Sequence, residues 1–180
     1  MLDSSTPNSL SLTLGSKSSI TTDNSKELRK FLQFQLGTSE RALLEAELVT
    51  EIIIVPENKI MPVPEMPYCV LGIYSWRSEM LWIVELENML GYPSSVTIAN
   101  PQSNSSHTSN LMLMVVQVKG NSLGLVVPNV MDIVQLDSQQ INSPSMELFG
   151  EMAFYLQGYF KDSNNEILML LNADKILQNL

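Results

Sequence analysis

Glu85 and Glu87 are the residues of this sequence whose types and spacing come closest to a catalytic pair. Two carboxylates can share the work of general acid and general base when both face one substrate. On a strand these two side chains would share a face, whereas at the start of a helix they would diverge. We interpret them as part of the first turn of a short helix, where acidic side chains favour the helix dipole.

Other residues that commonly do chemistry are few. His107 is the only histidine and lies in a polar stretch, so a catalytic triad or a metal site would depend on a poorly held side chain. Cys69 is the only cysteine and lies in an apolar run, which indicates a buried thiol and excludes an internal disulfide. Phosphate-binding glycine loops and paired metal-ligand motifs are absent from the sequence. The sequence therefore predicts no enzyme, no cofactor and no metal site.

Arg77 is the basic residue that best suits a binding role. It follows the apolar run Val70–Trp76 and precedes Ser78, so we expect it at a turn between two strands. Arginine forms planar, forked hydrogen bonds and suits protein interfaces better than lysine does. An ordinary turn arginine paired with Glu79 is an equally good interpretation, and such a pair contributes less than about 1 kcal/mol. These residues alone leave both interpretations open.

The charge of the chain restricts its partners. The 180 residues include 19 acidic and 10 basic side chains, which give a formal net charge of -9. Without a basic cluster the chain cannot replace the counterions of a nucleic acid or bind an anionic membrane surface. A protein partner with a basic patch is compatible with this charge. The N-terminal residues lack a secretory pattern and no apolar run approaches the roughly 20 residues of a membrane span, so we expect a cytoplasmic protein without membrane insertion.

Two polar stretches divide the chain. Residues 1–26 are rich in Ser and Thr, and they predict a flexible tail because they cannot bury enough surface to offset the entropy of ordering. Residues 94–110 predict a polar loop that separates two lobes, since loops of this length are uncommon inside a compact unit. Residues 27–180 are predicted to form the folded domain.

Short β-strands dominate the folded part. Apolar runs, several of them β-branched, recur at spacings of roughly ten residues, and Gly120-Asn121 marks a hairpin. The pattern is typical of a small barrel or sandwich, and the central polar break favours two barrels. The predicted strands are Lys30–Leu36, Glu51–Val55, Val70–Trp76, Met80–Leu86, Leu111–Lys119, Leu123–Val127, Met131–Gln135, Phe154–Phe160 and Glu166–Leu171.

Three short helices are predicted between these strands. They are Arg41–Glu47, with Glu45 and Glu47 on a solvated face, then Glu85–Leu90, and finally Ala173–Leu180. A strand followed by a short helix occurs in both halves, as MLWIVELENML and as ILMLLNADKIL. The residues alone do not decide whether this is a repeat or only common strand chemistry.

Six elements, taken in order and spacing, resemble the CheW family, and the resemblance covers about residues 27–180. The matching segments are Phe31–Gly37 (FLQFQLG), Val49–Ile52 (VTEI), Val70–Ser78 (VLGIYSWRS), Met80–Leu86 (MLWIVEL), Gly124–Val130 (GLVVPNV), and Tyr155–Gly158 (YLQG) with Ile167–Asn172 (ILMLLN). The chain departs from the family pattern at Ser78, where the family has Gly, at Trp82, where it has Pro, and at Glu85 and Pro128, where it has Asp. The departures suggest a divergent member with its own partners.

The resemblance implies a mainly β fold of two small five-stranded SH3-like barrels, packed along a shared apolar seam, with a few short helices. It also implies a non-catalytic adaptor in chemotaxis or phototaxis. Such an adaptor binds the regulatory domain of a CheA-type histidine kinase, barrel against barrel. It also holds the helical hairpin tip of a chemoreceptor or photoreceptor in the groove between the lobes, where β-branched residues accept the apolar stripe of a helix.

The resemblance also assigns partner-binding residues. Arg77 matches the turn arginine of the family, and Glu51 matches its acidic residue after the first helix-like element. Val70, Leu71 and Gly72 match the strand near the receptor groove, and Gly124 and Val127 match the second lobe's side of that groove.

Two alternatives to the adaptor are compatible with the sequence. One is a stand-alone β-barrel module that binds another regulator, for example of pilus motility, without a receptor array. The other is an enzyme that uses Glu85 and Glu87, which requires both carboxylates to face one pocket.

Overall fold

A computed structural model of the chain describes residues 26–94 and 109–180. Within them the fold is mainly β, as predicted, with two five-stranded sheets and three short α-helices. The strands are β1 Leu28–Leu36, β2 Glu40–Glu45, β3 Val49–Pro56, β4 Val70–Trp76, β5 Glu79–Glu85, β6 Asn110–Val118, β7 Asn121–Val127, β8 Val130–Asp137, β9 Leu156–Lys161 and β10 Ile167–Leu171. The helices are α1 Leu86–Met89, α2 Met146–Phe149 and α3 Ala173–Gln178.

The two sheets repeat one architecture. The central lobe has the strand order β3-β6-β7-β5-β4, and the terminal lobe has the order β8-β1-β2-β10-β9. Pairing is antiparallel except for β5 with β7 and β10 with β2, which occupy equivalent places. Because α1 follows β5 and α3 follows β10, the similarity between MLWIVELENML and ILMLLNADKIL reflects a structural repeat. The repeat is circularly permuted, since β1 and β2 complete a lobe that begins at β8.

The expectation that residues 94–110 separate the two lobes is wrong. This stretch connects α1 to β6, and the strands before and after it, β5 and β6, belong to the same central lobe. The two strands are not neighbours, since β7 lies between them in the sheet, so the chain needs a crossover connection. Residues 1–25 and 95–108, including His107, lie outside the described residues. The flexibility of the N-terminal tail and the absence of a role for His107 therefore stay predictions.

Each sheet curls until its two edges meet. In the central lobe Met61, which follows β3, forms a bridge with Ile73 of β4. In the terminal lobe Asn142, which follows β8, forms the equivalent bridge with Tyr159 of β9. These contacts give each lobe the small barrel shape that the fold class implies.

Glycine permits this closure in the central lobe. A Cβ atom on Gly72 would lie 2.2 Å from the carbonyl oxygen of Met61, in the segment that crosses β4. Gly72 also has φ +141, a conformation that other residues rarely adopt. The glycine of the VLG motif is therefore a structural requirement of the barrel.

Three apolar clusters stabilise the two barrels. One fills the central barrel around Ile83 and Leu113, and a second fills the terminal barrel around Phe31 and Leu43. The third draws fully buried side chains from both lobes and forms the shared seam. Cys69 belongs to this seam, and burial raises the pKa of its thiol, in agreement with the predicted buried cysteine.

The prediction of a helix over Arg41–Glu47 is wrong. Glu40–Glu45 form strand β2, which pairs with β1 on one side and β10 on the other. The segment is rich in good helix formers, but the hydrogen bonds and burial of a central strand outweigh local propensity. Glu45 accordingly lies on no helix face, and its Oε2 pairs with Nη2 of Arg29 at 2.7 Å. The other two predicted helices are present as α1 and α3.

Candidate partner-binding surfaces

Arg77 lies with Ser78 in the turn between β4 and β5, and both residues have positive φ angles of 47 and 67. Its Nη2 is 3.0 Å from Oε2 of Glu51 on β3, while the Arg77 side chain stays 63% exposed. The pair therefore joins the two edge strands of the central barrel. Arg77 therefore forms its ion pair with Glu51, whereas the turn interpretation expected a pair with Glu79.

Trp76 completes this arrangement, and sequence reasoning missed it. Its indole N–H donates to the same Oε2 of Glu51 at 3.1 Å, and the guanidinium carbon of Arg77 lies 4.9 Å from the centroid of its ring. We call Glu51, Trp76 and Arg77 the turn cluster. An aromatic residue directly before the turn arginine was the available signal, since arginine stacks readily on indole.

Val70 and Leu71 are partly exposed and line grooves at the surface. Both border a groove of about 240 Å³, together with Ile60, Pro62 and Tyr68. Val70 also borders a larger groove of about 560 Å³ whose walls come from both lobes. We call the larger one the inter-lobe groove; its apolar lining is Met66, Val70, Met80, Trp82, Leu123, Leu177 and Leu180.

Gly72, Gly124 and Val127 are buried, so they affect the surface only through the residues that pack over them. Gly72 and Gly124 both pair with Ile83 of β5, from opposite sides. A Cβ atom on Gly124 would lie 2.7 Å from Cδ1 of Ile83 and 3.1 Å from Cδ2 of Leu81, so these two side chains would have to shift. Val127 belongs to the seam. The expectation that Gly124 and Val127 face the groove from the second lobe is wrong, because β7 lies in the same sheet as β4.

Exposed isoleucines continue the seam onto one edge strand of each lobe. Ile52 of β3 pairs with Met114, and Ile133 of β8 pairs with Leu32, and both of these partners are buried in the seam. Directly opposed residues share a face of the sheet, so the isoleucines extend the seam face outward. Ile52, Ile54 and Ile133 are 43%, 58% and 62% exposed. We call these three residues the seam margin.

The seam margin was absent from the sequence-based site, although a signal existed. Residues 49–55 (VTEIIIV) and 130–136 (VMDIVQL) have the same pattern and form the equivalent strands β3 and β8. If the repeat had been recognised in these two runs, it would have predicted an isoleucine at the equivalent position of each edge strand, Ile52 in β3 and Ile133 in β8.

Glu85 and Glu87 lie at the start of α1, as predicted, but both are buried, at 1% and 3% exposure. Oε1 of Glu85 accepts from the Ser94 hydroxyl at 2.6 Å, and Oε1 of Glu87 accepts from the backbone N–H of Gly37 at 2.7 Å. Neither carboxylate lines the two grooves described above. The geometry thus gives the acid–base alternative no support.

Among residues 26–94 and 109–180, no group of three or more His, Cys, Asp or Glu side chains could hold a metal ion. None of the helices in these ranges has the length and apolar content that a bilayer crossing requires.

Comparisons with known proteins agree with this architecture. The family model of the CheW-like domain matches residues 30–180. The chain is 24% identical over 155 residues to the chemotaxis protein CheW of Treponema pallidum (strain Nichols), with 84% of this chain and 86% of the relative covered. The crystal structure of the scaffolding protein TtCheW from Thermoanaerobacter tengcongensis superposes with a TM-score of 0.64 and 19% identity, covering 80% of this chain and 88% of that chain. The chain therefore belongs to the CheW-like domain family, whose adaptor proteins serve chemotaxis.

Proposed function

We propose that this chain is a cytoplasmic, non-catalytic adaptor that couples a receptor of the methyl-accepting type to a CheA-type histidine kinase. The observation that carries the proposal is the presence of two separate exposed apolar surfaces on one small protein. One is the seam margin, and the other is the hairpin of β4 and β5 beside the inter-lobe groove. An adaptor needs two such surfaces because it must hold two partners at once.

The seam margin suits the helical hairpin tip of a receptor. A receptor helix presents an apolar stripe, and the β-branched side chains of Ile52, Ile54 and Ile133 offer a matching surface beside both barrels. A partner with basic residues also suits the net charge of -9. We assign the receptor to this surface, which is not the groove between the lobes that the family resemblance implied.

The hairpin of β4 and β5 suits the kinase regulatory domain. Met80 is 51% exposed beside the turn that carries Arg77, so an apolar anchor and an orienting charge lie together. Buried apolar and arginine anchors supply most of the affinity of protein interfaces. We assign the kinase domain to this surface, where it would pack barrel against barrel.

Calorimetric titration with the two isolated partners tests the assignment. Ile133→Asp should weaken binding of the receptor hairpin by roughly tenfold or more and leave kinase binding unchanged. Met80→Asp should weaken kinase binding by a similar factor and leave receptor binding unchanged. The two variants place the same charge on an exposed apolar residue, so each is the control for the other.

Kinase autophosphorylation provides the functional readout. With receptor and kinase present, adding the wild-type chain should make kinase activity respond to the receptor, and either variant should abolish that response. Binding of the kinase domain without any response to receptor would favour the stand-alone barrel module. If the wild-type chain binds neither partner in the micromolar range, the adaptor function is wrong.

A further inference from the structure

Two donors of the turn cluster converge on one carboxylate oxygen. Oε2 of Glu51 receives the indole N–H of Trp76 at 3.1 Å and lies 3.0 Å from Nη2 of Arg77. The Arg77 guanidinium also stacks 4.9 Å from the centroid of the Trp76 ring. Each pair in the cluster is therefore in contact, and Trp76 contacts both members of the ion pair.

The ion pair alone would hold Arg77 weakly. The Arg77 side chain is 63% exposed and Glu51 is 33% exposed, and pairs this accessible are screened by water and lose side-chain entropy. Trp76 is different because it is partly buried and packs against the apolar interior of the central barrel. A rigid, anchored ring can fix both the carboxylate and the guanidinium, and the latter through a cation–π contact.

We propose that Trp76 is a positioning residue for Arg77. Its indole N–H orients Glu51 and its ring supports the guanidinium, so that Arg77 is presented to the partner in one prepared direction. Preorganisation of this kind lowers the side-chain entropy lost on binding. The proposal rests on the proposed function to the extent that Arg77 belongs to the surface assigned to the kinase domain.

The first test needs no partner. In a ¹H–¹⁵N spectrum of the free chain, Glu51→Gln should shift the Trp76 indole N–H resonance upfield, because a charged acceptor is replaced by a weaker neutral one. The Trp82 indole resonance is the internal reference and should stay in place. An unchanged Trp76 resonance would overturn the proposal.

The second test measures affinity for the kinase domain. Trp76→Phe keeps a ring in the barrel but removes the N–H donor, and binding should weaken by roughly three- to tenfold with unchanged thermal stability. In an Arg77→Ala background the same change should have no further effect, because residues acting as one unit are not additive. Tyr74→Phe removes a polar group from another β4 residue that packs against the apolar cluster of the central barrel, and it should not alter binding.

The outcomes separate the two proposals. Additive effects of Trp76→Phe and Arg77→Ala, or wild-type affinity of Trp76→Phe, would overturn the positioning role while the adaptor function stands. If the wild-type chain does not bind the kinase domain, the adaptor function fails. The indole resonance then still decides whether Trp76 orients Glu51.

Discussion

The backbone N–H of Gly37 donates a hydrogen bond of 2.7 Å to Oε1 of Glu87, which joins the terminal lobe to α1 of the central lobe. At the equivalent place of the repeat, Nζ of Lys119 lies 3.0 Å from Oδ1 of Asp174 in α3. The equivalent helices α1 and α3 thus each reach the hairpin turn of the other lobe through an acidic side chain. The two contacts differ in burial, since Glu87 is 3% exposed whereas the Lys119 and Asp174 side chains are 68% and 44% exposed.

Glu87→Ala should destabilise the chain by about 1–3 kcal/mol, because it leaves the Gly37 N–H without its acceptor at a buried site. Glu87→Gln should cost less than about 1 kcal/mol, since the amide oxygen can still accept that hydrogen bond. The amide nitrogen of Gln also takes the place of Oε2, which is buried and has no hydrogen-bond partner among residues 26–94 and 109–180. Urea unfolding of both variants measures the difference. Equal losses would mean that the negative charge, and not the hydrogen bond, joins the lobes.

Lys119→Ala provides the comparison at the exposed contact. We expect a loss below about 1 kcal/mol, because solvent and salt screen a pair of this kind. Raising the ionic strength should shrink the loss further, whereas the effect of Glu87→Ala should persist. A loss from Lys119→Ala as large as that from Glu87→Ala would contradict the idea that burial sets the strength of the two contacts.

The stability of the chain should fall in alkaline solution because of Tyr92. Burial, assisted by the charges of Glu40 and Glu87, raises the pKa of Tyr92 from 10.0 to about 12. The folded state thus favours the neutral phenol. This contribution is fully present below pH 10.0 and is lost as the pH rises through about 12.

Tyr92→Phe should therefore flatten the stability curve between pH 10.0 and about 12. Urea midpoints across this range, together with tyrosinate absorbance, provide the measurement. Tyr68→Phe, at a side chain that is 74% exposed, is the matched control. A wild-type slope in Tyr92→Phe would show that another group causes the alkaline loss.

The strands could be predicted from the sequence because apolar runs and turn residues are local signals. Val70–Trp76 is β4 as predicted, and the hairpin signal at Gly120-Asn121 joins β6 to β7 with Val118 opposite Asn121. The helix predicted over Arg41–Glu47 shows the limit of such signals. Its strand conformation depends on partners far along the chain, β1 and β10, which local propensity cannot reveal.

The candidate site was only partly predictable for a similar reason. Arg77 stood out by its residue type and position as well as by the family resemblance, whereas Glu51 came from the resemblance alone, and the two residues do meet. Gly124 came from the same source, but its burial beside Ile83 depends on the parallel pairing of β5 with β7. The lobe membership of such residues follows from the permuted order of the strands, which periodicity does not encode.

Ser78→Gly should stabilise the chain by about 0.5–1 kcal/mol. Ser78 has φ 67, and this left-handed conformation costs an L-residue roughly 1–2 kcal/mol, which glycine would not lose. Part of that gain is offset because glycine has greater conformational freedom in the unfolded chain. The reverse change, Gly120→Ser, places serine at φ +82 in an open turn and should lose a comparable amount. Thermal unfolding measures both. A destabilised Ser78→Gly variant would mean that the serine makes a compensating contact.

Gly72→Ala should destabilise the chain by more than about 3 kcal/mol, because the new Cβ would meet backbone that cannot yield. It would lie 2.2 Å from the carbonyl oxygen of Met61, in the bridge with Ile73 that closes the central barrel. Gly91→Ala is the matched control, since Gly91 has φ +85 and a Cβ atom there would have no described residue within 4 Å other than its chain neighbours. It should lose only about 1 kcal/mol from backbone strain.

Hydrogen exchange at the Met61 and Ile73 amides identifies the cause of the Gly72→Ala loss. Both amides bond across the bridge, so both should exchange faster in Gly72→Ala and remain protected in Gly91→Ala. Partner binding by Gly72→Ala should fall together with stability, whereas Arg77→Ala should lose binding alone. If Gly72→Ala destabilises the chain no more than Gly91→Ala does, the segment around Met61 can move aside at little cost in free energy. Closure of the barrel is then not what holds β4 and its turn in place.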